Sequence, residues 1–137
     1  MILEHLSILE GYIRNYRVDA FEQVGNNLKI YFTIHFKNAS LLYIKEILIR
    51  GKRKYAYHWQ DSDESLICRW DNAPDWPDIE TYPHHKHFQE ELMPSYETEA
   101  KEIFKKIKGR KEDNAEIAKK GPGCFLLFAL RPKLSAP

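Results

Sequence analysis

Cysteine is scarce in this chain: its two residues, Cys68 and Cys124, stand far apart in 137. That excludes a disulfide framework and a Cys-x-x-Cys metal site, and makes a reducing, cytoplasmic setting the expectation. An excess of one charge is also lacking. Lys plus Arg number 21 and Asp plus Glu 20, a formal net charge of +1. A strongly basic nucleic-acid coat and an acidic tail protein are excluded, but a local basic patch on a neutral protein is not. Long apolar runs are missing too. The longest, Cys124 to Leu130, falls far short of the ~20 residues that span a bilayer. The stretch MILEHLSILEGY carries Glu4 and Glu10 and no basic segment, so a signal peptide and a membrane partner are not expected.

What is abundant is aromatic. The chain holds 3 Trp, 8 Tyr and 7 Phe, 13% of its residues, which points to strands and to a stacking or pocket surface. With 43% hydrophobic and 30% charged residues the composition is that of one folded domain with a single core.

Periodicity sorts the elements. Ile2, Leu6, Leu9 and Ile13 recur at helical spacing and predict an amphipathic N-terminal helix, weakened near Gly11. Residues 28–37 alternate strictly, with Leu28, Ile30, Phe32, Ile34 and Phe36 on one side; this is a strand. Further strands follow over 41–50, 54–60 and 65–71, separated by Gly51-Lys52-Arg53 and by Asp61-Ser62-Asp63-Glu64. Residues 72–83, with Pro74, Pro77 and Pro83, read as a rigid loop. A helix is predicted over 96–108, capped by Ser95 and stopped by Gly109. The expected fold class is therefore α+β: an N-terminal helix, a four-stranded antiparallel meander sheet, a Pro-rich loop and a C-terminal helix. The sheet's apolar face would pack on the helices. Residues 1–109 form the domain. From 110 to 137 the chain reads as a divergent tail, broken at Gly121-Pro122-Gly123 and ending in an apolar CFLLFAL segment of extra strand or exposed appendage.

The last hairpin matters most for function. Pairing Gln60 with Ser65 puts Tyr55, Tyr57 and Trp59 on one face with Leu66, Cys68 and Trp70. His58 and Gln60 then share the other face with Arg69 and Asp71. Metal-free cleavage of RNA needs a base for the 2′-hydroxyl, an acid for the leaving 5′-oxygen and cations for the phosphate. The candidates are His58, His84, His85 and His87 as acid or base, with Arg69 and Lys86 as cations, helped by Arg50, Lys52 or Arg53. Gln60, Asp71 and Asn72 would contact substrate or orient a partner. Tyr57, Trp59, Trp70, Trp76 and Tyr82 could stack a base. A rival reading uses His84 and His87 with Asp71 or His58 as metal ligands, although Lys86 within the cluster opposes a cation. Structural readings stand beside both: His58 as a surface strand residue, Arg69–Asp71 as a salt pair, Asp71–Pro74 as an Asx turn and the aromatics as core.

Three segments taken together, Tyr57-His58-Trp59-Gln60, Arg69-Trp70-Asp71-Asn72-Ala73-Pro74 and Tyr82-Pro83-His84-His85-Lys86-His87, resemble the TumE family of toxins from prokaryotic toxin–antitoxin systems. The resemblance covers roughly residues 1–108. It implies a cytoplasmic toxin with a helix-turn-helix antitoxin as partner. By position it marks His58, Gln60, Arg69, Asp71, Asn72, His84, His85, Lys86 and His87. Asp75 stands where the family often has histidine. The function expected from residues and resemblance together is a metal-independent ribonuclease acting on RNA by histidine acid–base catalysis, with no cofactor. The alternatives are a metal-dependent nuclease or hydrolase and a non-catalytic module binding nucleic acid or protein.

Overall fold

The computed structural model of the protein describes residues 2–120. Seven strands form one sheet in chain order: β1 (Ile13–Val24), β2 (Asn27–Phe36), β3 (Leu41–Ile49), β4 (Lys52–Gln60), β5 (Leu66–Asp71), β6 (His85–Phe88) and β7 (Glu91–Pro94). Every neighbour pair is antiparallel. A 3-10 helix, Leu3–Leu9, precedes the sheet and a long helix, α1 (Ala100–Lys120), follows it. The chain divides into two units: Glu10–Thr98 holds the sheet, and the segments on either side form the second unit. Within that second unit the 3-10 helix and α1 are in contact, and Leu9, Ile103, Phe104 and Ile107 are fully buried.

The α+β meander is present, but with seven strands instead of four. β1 escapes sequence reading because two register shifts, between Ile13 and Asn15 and between Val18 and Ala20, break the alternation. Its side chains also lie largely in solvent, so no apolar face marks it. β6 and β7 are only four residues each and carry histidine, lysine and proline where a strand signal needs β-branched or aromatic residues. The expected N-terminal α-helix is a shorter 3-10 helix.

The C-terminal helix starts later than predicted and runs past Gly109. Ser95 does not cap it; its hydroxyl donates to the Glu97 carbonyl at 2.9 Å. The cap is local to Glu99, whose N–H donates to the Glu102 carboxylate at 3.1 Å, one half of a capping box. Gly109 has open space around it and lies in the helix interior, so helix geometry tolerates it without a stop. The predicted break at Gly121-Pro122-Gly123 and the CFLLFAL segment lie outside the described residues.

Register divides the sheet into two faces of different chemistry. One row of the buried face reads Phe32, Ile44, Tyr57, Trp70, Lys86 across β2 to β6, and the next reads Ile34, Leu42, Trp59, Cys68, Phe88. On the open face one row reads Thr33, Tyr43, His58, Arg69, His87. The row beside it reads Tyr31, Lys45, Ala56, Asp71, His85. The β4–β5 pairing is Tyr57 with Trp70 and His58 with Arg69, not the predicted register in which Gln60 meets Ser65. The strands are offset by two residues from the prediction, with an irregularity between Trp59 and Gln60. A shift of two preserves parity, so each residue stays on its predicted face.

Candidate functional site

The site grows from the β4–β5–β6 segment of the open face. Arg69 lies on β5 with His58 beside it on β4 and His87 beside it on β6. One row away, Asp71 pairs with His85. The Asp71 carboxylate is buried and fully engaged. Oδ1 accepts from the Ala73 N–H at 3.0 Å and lies 2.9 Å from His85 Nε2; Oδ2 accepts from Arg69 Nε at 3.1 Å. The Ala73 contact is the predicted Asx turn, and it coexists with the other two.

His85 is 2% exposed. Its Nδ1 lies 3.1 Å from the Pro83 carbonyl, which can only accept, so Nδ1 carries a proton. Its Nε2 faces Asp71 Oδ1 at 2.9 Å. Both ring nitrogens are committed, so His85 orients Asp71, which in turn aims the Arg69 guanidinium. This chain, Pro83 to His85 to Asp71 to Arg69, is a positioning device.

His58 and His87 are the half-buried histidines of the cluster. Burial, and then the positive charge of Arg69, push His58 below the ordinary histidine value, while a hydrogen bond with Gln60 opposes them. His87 is pushed down by burial, by His85 and by Arg69, with Asp71 opposing. The Arg69 guanidinium can only donate, so its long 3.5 Å contact with His58 Nδ1 leaves that nitrogen as the acceptor. Trp76 meets the His87 ring edge-on at 6.4 Å. A cleft of about 320 Å³ opens here, lined by Arg69, Asp71, Asp75, Trp76, His85 and His87 among others.

Several predicted residues do not join this cluster. His84 stacks on Tyr55 and contacts its hydroxyl through Nδ1 at 2.9 Å. Lys86 falls on the buried-face side by strand parity, and its ammonium pairs with Glu97 at 3.0 Å. Asn72 serves the backbone: its Oδ1 accepts from the Tyr55 N–H at 3.0 Å and its Nδ2 donates to the Arg53 carbonyl at 2.9 Å, continuing the ladder past the end of β5. Tyr57, Trp59 and Trp70 are core residues, each at most 3% exposed. Arg53 is held by Glu46 and the Thr98 carbonyl. Tyr82 is exposed and Trp76 reaches the cleft.

A metal could be offered a different set from the one predicted. Asp71, His85 and His87 bring their ligand atoms within 4.8 Å of one another, with His85 in the place expected of His84. Such an ion would have to break the His85–Asp71 contact and compete with the Arg69 charge.

The residues that sequence reading missed are Tyr31, Tyr43 and Lys45, which share the open face with the site. The strict alternation of residues 28–37 already put Tyr31 opposite the apolar side; the strand over 41–50, apolar on both sides, hid Tyr43 and Lys45.

The arrangement is a histidine- and arginine-bearing open face on an antiparallel sheet. The family model described as Toxin TumE matches residues 3–111. The chain belongs to the TumE toxin family, and membership implies a cognate antitoxin. No curated protein and no solved structure matches it. Among the described residues no helix is long and apolar enough to cross a membrane.

Proposed function

We propose that this toxin is a metal-independent ribonuclease of the cytoplasm, kept in check by a helix-turn-helix antitoxin. The observation that carries the reading is Arg69 flanked by His58 and His87 on adjacent strands. Two neighbouring strand spacings separate the histidines by roughly 10 Å. A phosphate seated on Arg69 would therefore have one histidine on either side. That suits an in-line displacement, in which the entering and leaving oxygens lie on opposite sides of phosphorus.

The roles follow from the surroundings. His58 has Arg69 beside it and no carboxylate among the groups that shift it, so its neutral form is favoured and it is the base that takes the 2′-hydroxyl proton. His87, on the other side of Arg69 and with the Asp71 carboxylate acting on it, is the acid. The 2′-oxygen forms a bond to phosphorus, the bond from phosphorus to the 5′-oxygen breaks, and His87 gives its proton to that oxygen. Arg69 neutralises the charge that builds on the phosphoryl oxygens. Gln60 holds His58, and His85 with Asp71 holds Arg69.

The test is cleavage of total cellular RNA by the purified chain in excess EDTA. Cleavage by wild type that His58→Ala and His87→Ala lack supports the reading; equal cleavage by folded variants overturns it. The Asp71–His85–His87 group supports a second reading, a metal-dependent nuclease. Cleavage only with added divalent metal, lost on His85→Ala, would favour that one.

A further inference from the structure

The open face extends well beyond the cluster, and its side chains share one character. Tyr31, on β2, lies between two lysines, with Lys29 Nζ 4.9 Å and Lys45 Nζ 5.2 Å from its ring centre. Tyr43, on β3, is 38% exposed, and its ring centre is 6.3 Å from that of His58. Lys54 on β4 continues the Lys29–Ile47 row, and Lys52 lies further along the same strand on the same face. None of Lys29, Lys45, Lys52 and Lys54 has an ion-pair partner among the described residues. The acids on this face are few. Asp19 and Glu22 sit at the β1 edge, where Asp19 is bound to Thr33 and Arg17; Asp71 is buried under Arg69 and His85, and Asp75 lines the cleft with Lys54 and Arg69.

We propose that the open face from β2 to β5 is a platform for single-stranded nucleic acid, which leads RNA toward Arg69; this rests on the ribonuclease reading for what is cleaved. Tyr31 and Tyr43 supply flat surfaces on which bases stack, and Lys29, Lys45 and Lys54 supply cations for the phosphates between them. Tyr31 stands three strand spacings, roughly 15 Å, from β5. A four-stranded sheet with such aromatics holds about two or three stacked bases, so the track is of the right order to reach the site. Bases paired within a duplex cannot splay onto the tyrosines, so the platform takes single strands. Neither stacking nor phosphate contact reads the 2′-hydroxyl, so single-stranded DNA binds as well and only RNA is cut.

The experiment is anisotropy of a short labelled single-stranded RNA, titrated with the full chain carrying His58→Ala and His87→Ala, in EDTA and over a range of salt. Adding Tyr31→Ala should weaken binding at least about five-fold, since each stacked base contributes about 1–3 kcal/mol. Tyr31→Phe, which keeps the ring, should restore it. Lys45→Ala should flatten the slope of log affinity against log salt by roughly 0.7. Single-stranded DNA should compete and duplex RNA should compete poorly. Unchanged affinity and salt slope in Tyr31→Ala and Lys45→Ala, equal competition by duplex, or no binding of single strands would overturn the platform. So would a protein partner captured through Tyr31 by a chain that binds no RNA. The two readings fail separately. Binding that depends on Tyr31 without cleavage by wild type sinks the ribonuclease alone. Cleavage by wild type, with Tyr31→Ala and Lys45→Ala as tight and as fast as their parents, sinks the platform alone.

Discussion

Tyr57 and Tyr43 sit on neighbouring strands of one sheet, yet one is sealed in the core and the other stands in solvent. Trp59 and Trp70 share the fate of Tyr57; Tyr31 is half-buried on the side of Tyr43. The difference is strand parity alone. On the buried face an aromatic ring contributes by leaving water; on the open face the same ring is a surface that something else can cover. The same parity explains the cations. Arg69 is on the open face and meets two histidines, whereas Lys86, next to His85 and His87 in sequence, falls on the other side and is neutralised by Glu97.

The comparison can be broken in a definite order. The largest effect falls on the chemistry of the open face. His58→Ala or His87→Ala should each lower the rate of RNA cleavage by roughly 10²–10⁴, with an unchanged circular dichroism spectrum. Arg69→Ala should cost on the order of 10²–10³ in the same rate. Next comes the buried face. Tyr57→Ala should destabilise the fold by about 3–5 kcal/mol, read from urea unfolding, and the fraction still folded should cleave at the wild-type rate. A variant that keeps full stability but loses cleavage would overturn the assignment of Tyr57 to the core.

The third effect is in pH. Both His58 and His87 are held below the ordinary histidine value in the folded state. The unfolded chain therefore binds more protons as pH falls through the unfolded histidine value of about 6.5. Their contribution to stability is present above that value and is lost as pH drops through the lowered folded ones. Urea midpoints measured from pH 8 downward should fall on the acid side, and the fall should be shallower in the double variant His58→Ala, His87→Ala. Cleavage should fall on the same side, because the base must be neutral. The smallest effect should be Tyr43→Ala, which is expected to move stability by no more than about 0.5 kcal/mol while weakening RNA binding.

Much of this was legible from the residues. The alternation over 28–37 and the paired apolar and polar sets of β4 and β5 placed His58, Arg69 and Asp71 on one face, and a misjudged register did no harm because it was wrong by two. What stayed hidden has physical causes. β1 contains bulges and little burial, so alternation fails. β6 is a strand because β5 offers it a ladder, and nothing in the run His84-His85-Lys86-His87 says so locally. Once it is a strand, the four residues cannot act together: His85 and His87 face the site and Lys86 faces away. The duties of Asn72 depend on the backbone of β4, which no spacing within its own segment displays.

The sheet's simple order carries one more consequence. Each strand pairs with the one made just before it, so the sheet can be built strand by strand in chain order. A ribosome emitting this chain can add β2 to β1, then β3 and β4, without waiting for a distant partner. His58 and Arg69 come together when β5 joins β4, but the other flank of Arg69 stays empty until Phe88 has been made and β6 has docked. The proposed chemistry thus needs six of the seven strands in place before Arg69 has a histidine on both sides.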